Sequence, residues 1–281
     1  MRPSLEKTIF PQKTLDTVFE HVLLDDVINL NASLSDEVIE ADYTAEEIEA
    51  SYDLCWQLLE RGVDFEQFRS LIAKIAFTGS ATEEERLAFK YARARFKHMR
   101  FACNNFDKRH RYPKLFHKVI ILMGKMQDAF KNTQRFATLI YGLILWLILS
   151  PSCYWLIARE LTDFRAESPA GLRAYHRREN QKLEKLFKKQ NKLAAHDFHL
   201  MRKIISRRVA FNDTLRTIRP STKLDRFSAY LATMNGIMGD MHDELVEKRY
   251  VDKQGYYKNS VPFPGDLAER IQCFLNKEKQ V

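Results

Sequence analysis

The sequence has little of what breaks or cross-links a chain. Only 9 Gly and 8 Pro punctuate 281 residues. With so few breakers, abundant Leu, Lys, Glu and Ala, and long amphipathic windows, an all-α protein is expected. The four cysteines, Cys55, Cys103, Cys153 and Cys273, are scattered and form no Cys-x-x-Cys pair, so neither a disulfide framework nor a zinc knuckle is indicated. No P-loop, dinucleotide fingerprint or nucleophile elbow is present. The sequence shows no basic stretch followed by an apolar one near its first residues, so a secretory signal is not expected and a reducing cytoplasm is the expected compartment.

What is present is positive charge, unevenly spread. The net charge is +8, yet residues 1–62 hold 4 Lys+Arg against 14 Asp+Glu, and the remainder holds 41 against 23. The expected organisation is an acidic helical arm over 1–62 and a basic body over 63–281, which suits a phosphate-rich partner. Within the body, Lys90, Arg93, Lys97 and Arg100 fall at i, i+3, i+7 and i+10, and the pattern continues through Asn104, Lys108 and Arg111. On one helix these side chains share a sector of roughly 80° and form a ridge about 30 Å long. Stacked like charges repel and weaken an isolated helix, so such a ridge makes most sense facing a polyanion. A solvated helix face is the plainer reading of the same residues.

Local signals place the helices. Thr44-Ala45-Glu46-Glu47 and Thr82-Glu83-Glu84-Glu85 both carry the Ser/Thr-x-x-Glu spacing of a capping box. The first opens a helix over about 45–61 that ends near Gly62; the second opens the ridge helix, whose other side shows Ala88, Tyr91, Ala92, Met99, Ala102 and Phe106. Pro113 precedes a helix over about 114–132. Ser168-Pro169 caps a basic stretch that is expected to break near Leu193 to His196, and further helices are expected over about 222–249 and 266–277, with a loop from Tyr250 to Gly265.

Phe136 to Ala158 is 23 residues without a charge, interrupted by Ser150-Pro151-Ser152. The apolar part before the break is short for a span, so a buried helix-turn-helix is expected, with a membrane segment as the alternative.

Two segments match each other. Leu122-Met123-Gly124-Lys125-Met126-Gln127-Asp128 and Ile237-Met238-Gly239-Asp240-Met241-His242-Asp243 both read apolar-apolar-Gly-x-x-x-Asp. Each follows a basic helix, Lys90–Arg111 in one case and a helix with His199, Arg202, Lys203 and Ser206 on one face in the other. In this order the motifs resemble the CHAD family, the conserved histidine α-helical domain, in which a helix reading His-x-x-Arg-x-x-x-Lys-x-x-Arg precedes one reading Leu-Gly-x-x-x-Asp, the whole repeated. Lys90, Arg93, Lys97 and Arg100 match the first pattern with Lys in place of His. His199 and Arg202 match in the second copy, where Ser206 and Val209 depart and Lys203 and Arg207 stand near. The resemblance covers about 63–281, as repeats of about 63–165 and 166–281. It implies two pseudo-twofold-related helical bundles, with long basic helices lining a central groove that binds inorganic polyphosphate.

Lys and Arg suit phosphate, Arg as a fork onto two oxygens and Lys as a mobile point charge. The polyphosphate-binding candidates are Lys90, Arg93, Lys97, Arg100, Lys108, Arg111, His199, Arg202, Lys203 and Arg207. The run from Leu172 to Lys192, with Arg173, Arg177, Arg178, Lys182, Lys185, Lys188, Lys189 and Lys192, is diluted by Glu179 and Glu184 and reads equally as an exposed face. His196 and His199 have a spacing that suits a metal, but no third ligand is identifiable, and His199 reads better as a phosphate donor. Asp128 and Asp243 are read as capping or pairing with basic side chains, and Gly124 and Gly239 as places of close helix packing. CHAD domains are often joined to a triphosphate-hydrolysing CYTH domain, which would require Glu-x-Glu-x-Lys on a strand. Glu47-Ile48-Glu49 instead runs into Ala50-Ser51 on an expected helix. Neither an enzyme nor a cofactor is expected. Nucleic acid is the alternative partner, a membrane-associated protein using 136–158 another, and an adaptor working through the acidic arm a third.

Overall fold

The computed structural model of the chain describes residues 8–34, 43–189, 193–251, 261 and 263–279; of 246–251 it describes the backbone alone. Eleven helices occur among the described residues: α1 (Gln12–Leu23), α2 (Ala45–Gly62), α3 (Phe65–Thr78), α4 (Glu83–Asn105), α5 (Lys114–Lys131), α6 (Arg135–Ile148), α7 (Pro151–Thr162), α8 (Pro169–Phe187), α9 (Ala195–Ile218), α10 (Thr222–Val251) and α11 (Gly265–Glu278). The fold is all-α, and extended pairing among the described residues is limited to an isolated bridge between Asp107 and Ala166.

Helix starts follow local chemistry. Thr82 Oγ1 accepts from the Glu85 N–H while Glu85 returns a carboxylate to the Thr82 N–H, and Thr44 and Glu47 make the same exchange, so two otherwise unpaired N–H groups are satisfied at each start. Ser168 Oγ accepts from Gly171 N–H with Pro169 in the first helical turn. α3, not anticipated above, has equally plain ends: Asp64 accepts from Glu66 and Gln67 N–H, and Gly79 closes the helix at φ 67°, a left-handed conformation that glycine adopts without a Cβ penalty.

The described residues divide into two compact units, one drawn from Met1–Phe19 and Ile48–Glu167, the other from Glu20–Glu47 and Ser168–Val281. Residues 1–62, expected as a separate acidic arm, are shared between them. Leu54, Leu58 and Leu59 of α2 are buried in the first unit, where Gln57 bonds the backbone of Thr8 and Phe10. Glu47 pairs with Arg219 at 3.0 Å in the second. Asp36, Glu37, Glu40 and Asp42 of that segment lie outside the described residues, as does most of the loop expected over 250–265.

In the first unit an aromatic core joins Phe68 to Phe89 and Phe89 to Phe130, with Phe96 stacked on Phe116 at 5.6 Å. α6 packs on α3 and α5 by its narrow side, where a Cβ on Gly142 would lie 2.5 Å from Ala76 Cβ. Gly142→Ala is therefore expected to destabilise. The gain in helix propensity of about 1 kcal/mol is outweighed by forcing two helices apart, so a net loss of about 1–2 kcal/mol is predicted in urea unfolding. Gly265→Ala, where a Cβ meets nothing within 4 Å among the described residues, is the control and should leave stability within about 0.5 kcal/mol.

The second unit packs α8, α9, α10 and α11 around Phe198, Met201, Ile205, Leu231, Met234, Ile271 and Phe274. Residues 25–32 are held to it by their backbone. Asn235 Nδ2 donates to Asp25 O at 2.7 Å, Thr233 Oγ1 and Asn29 exchange hydrogen bonds, and Arg270 donates to Ala32 O at 2.8 Å.

The segment 136–158 forms a helix-turn-helix broken at 149–150, but it is not buried as expected. α6 is buried only at Thr138, Gly142 and Leu145, while Phe136 is 78% and Leu147 59% exposed. No single described helix is long and apolar enough to cross a membrane, and α6 and α7 meet at a 73° bend.

Candidate functional site

α4 presents Lys90, Arg93, Lys97 and Arg100 over three turns. Lys90 is exposed and the other three are half-buried, so the row sinks into the protein instead of forming a uniformly solvated ridge. Arg93 lays its guanidinium across α5 at Gly124, where a Cβ would stand 3.2 Å from Nη2. The glycine costs helix stability relative to Ala, and here it makes room for an arginine from the neighbouring helix. Arg93 Nε is buried and meets no hydrogen-bond acceptor among the described residues, an uncommon state for a buried donor. Burial pulls the pKa of this guanidinium below its usual value, and Asp128, one turn beyond Gly124, acts in the opposite direction. Arg100 lies 5.0 Å from the ring centroids of both Phe101 and Tyr112, and Lys97 lies 5.8 Å from that of Phe101. Phe89 and Phe101, which flank the row in sequence, are themselves buried.

Lys108 and Arg111 do not continue the row. α4 ends at Asn105, and the following residues turn around Asp107, which is 3% exposed. Its carboxylate accepts from Arg109 Nε at 2.7 Å, Arg109 Nη2 at 2.5 Å and the Arg165 N–H at 3.2 Å, while Arg109 Nη1 reaches Asp163 at 2.7 Å. Partners more than fifty residues away thus stop the helix. The cationic row on α4 is about 15 Å long, half the expected length. Arg111 lines a separate cavity of about 230 Å³ with Arg109, Lys114, Asp107, Glu160 and Asp163. There the charges balance, and Glu160 occupies the start of α5 by accepting from the Leu115 and Phe116 N–H groups at 2.7 and 3.1 Å.

The second unit repeats the arginine-over-glycine arrangement. Arg202 on α9 reaches α10 at Gly239, its Nη2 3.6 Å from where a Cβ would stand, with Asp243 one turn on. His199, one turn before Arg202, stacks on His242 with centroids 5.4 Å apart and planes 28° apart, and His242 Nδ1 is 3.2 Å from Asp243 Oδ1. The pKa of His199 is pushed down to about 4, first by burial and then by Lys203, His242, Arg202 and His196. These neighbours act in the same direction as burial, and Arg202 and Lys203 among them are fixed positive charges.

The departures in the second copy have a structural reason. Ser206 and Val209 stand where α9 turns into the core: Ser206 Oγ donates to Asn235 Oδ1 at 2.7 Å, and Val209 is fully buried. Arg207 is turned toward α8 and is ion-paired with Glu179, so it does not join His199, Arg202 and Lys203. Part of the basic run of α8 and the residues after it is paired, with Lys182 on Glu179, Lys188 on Glu184 and Lys189 on Asp197; Lys192 lies outside the described residues. His242 was not among the sequence candidates, although it sits inside the second Gly-x-x-x-Asp motif, where helical periodicity puts it one position before Asp243. Among the described residues no three His, Cys, Asp or Glu side chains gather as a metal site.

No protein-family model, curated protein or solved structure matches the chain.

Proposed function

We propose that the chain is a divergent CHAD-like module that binds inorganic polyphosphate, or a similar polyphosphorylated anion, without making or breaking bonds. Two cation clusters carry the binding: Lys90, Arg93, Lys97 and Arg100 in the first unit, and His199, Arg202 and Lys203 with His242 in the second. The observation that carries this reading is the second cluster, where the half-buried His199 stacks on His242 beside the fixed cations Arg202 and Lys203, and burial first, then these neighbours, holds its imidazole toward neutrality. Assembling like charges in a partly desolvated place is costly, and a multivalent anion relieves that cost. The matching arginine over glycine in each unit supports a duplicated site.

Polyphosphate is favoured over single-stranded nucleic acid because base recognition draws on aromatic platforms beside the cations. Phe89 and Phe101 are committed to the core, and the half-buried Tyr112 ring lies against Arg100. At matched salt, excess long-chain polyphosphate is expected to displace a bound single-stranded RNA oligonucleotide completely, while an equal phosphate concentration of RNA displaces little polyphosphate. Stronger retention of RNA would replace polyphosphate with nucleic acid as the ligand.

A further inference from the structure

α6 is apolar on two opposite sides and packed on only one. Thr138, Gly142, Leu145 and Leu149 project within about 60° of one another and face the interior, while Phe136, Ile140, Leu143 and Leu147 occupy a sector of about 60° on the far side. The far side is open, from 39% exposure at Ile140 to 78% at Phe136, and Trp155 and Leu156 of α7 add 41% and 51%. A helix apolar all round is ordinarily enclosed by protein or lipid.

We infer that this outer face of α6 and the start of α7 docks into the interfacial layer of an anionic lipid membrane, lying on the surface and not crossing it. The charge around the patch selects the occupant. Residues 114–162 carry six Lys and Arg against Asp128 and Glu160; Asp128 is exposed near Arg93 and Glu160 caps α5, so the segment keeps a net positive charge. Lys131, Arg135 and Arg159 are exposed. Both tryptophans of the patch carry a cation: Arg69 lies 4.5 Å from the Trp146 ring centroid and Arg159 5.6 Å from that of Trp155. Apolar side chains bordered by amphipathic tryptophans and by cations match an acyl boundary under anionic headgroups. A second copy docked symmetrically by the same face would set this cationic rim against itself. The 73° bend between α6 and α7 suits a hairpin lying in the interface.

The test is flotation of the full chain with vesicles of phosphatidylcholine alone and of phosphatidylcholine with a minority of phosphatidylserine, read together with tryptophan emission. Trp56 is buried, so a blue shift reports Trp146 and Trp155. The expected result is binding to the anionic vesicles with a blue shift, little binding to the neutral ones, and a loss of more than about tenfold in partitioning for Leu143→Asp with Leu147→Asp. Melting temperature confirms that this pair folds; Phe136→Ser with Ile140→Ser gives the same reading with a milder change. Lys97→Glu with Lys203→Glu should leave partitioning intact, separating it from the polyphosphate clusters. Absence of vesicle binding overturns the proposal, as does equal binding by the Asp pair or loss of binding only in the Lys97→Glu, Lys203→Glu protein. A concentration-dependent dimer that the Asp pair abolishes, with no vesicle binding, overturns it in favour of a second copy.

Discussion

Reversing Lys90, Lys97 and Lys203 to Glu together is expected to weaken polyphosphate binding by about a hundredfold or more at moderate salt. Each reversal removes a phosphate contact and places a like charge beside the ligand, so three of them cost on the order of 3–4 kcal/mol. Lys90 and Lys203 are exposed, and Lys97, half-buried with its ammonium 5.8 Å from the Phe101 ring centroid, is the position whose folding the melting temperature must confirm. Arg93 and Arg202 are unsuited to this experiment because their guanidiniums are packed over Gly124 and Gly239, and a substitution there would mix folding with binding. Helical circular dichroism should be unchanged, and the slope of log K against log salt should become shallower by about 2–3, as fewer condensed counterions are released. An unchanged affinity in the triple variant removes these clusters as the site.

Features decided within one helical turn were readable from the chain. The boxes at Thr44 and Thr82, the Ser168-Pro169 start and the break before Ala195 depend on neighbours three or four residues away, and the structure bears them out. Asp64 and Gly79 frame α3 by the same chemistry. The readings that failed depended on distant partners. Lys108 and Arg111 keep the helical period, but Asp107 and Arg109 find Asp163 and Arg165 and turn the chain. Arg207, read as a stand-in one position from Ser206, is taken by Glu179. Hydropathy along 136–158 gave the helices and their break, but it could not say that α6 would be covered on one side only. The glycine motifs were read as close packing; that an arginine guanidinium lies over each, tightly at Gly124 and at ordinary contact distance at Gly239, follows from interhelical geometry, which spacing along one helix does not contain.

The second large effect is on protonation. His199 titrates near 4 in the free protein because burial, and then Lys203, His242, Arg202 and His196, penalise the imidazolium. In the unfolded chain its value returns to about 6.5. Without ligand, the unfolded state therefore takes up a proton that the folded state refuses, and stability is lost as pH falls from 6.5 toward 4. A polyanion seated among the same cations reverses their effect on the ring and favours the imidazolium. The bound form then holds the proton more tightly than the free form, so binding takes up protons and affinity rises as pH falls through that window. His199→Gln should flatten both pH dependences.

The most direct measurement is an NMR pH titration of the His199 imidazole in the full chain, with and without saturating long-chain polyphosphate. The ring is expected to titrate near 4 alone and at least about one unit higher with polyphosphate, as a nearby anion stabilises the imidazolium. A titration curve that polyphosphate leaves in place, under conditions where it is bound or where it fails to bind at all, would contradict the assignment of this cluster as its site.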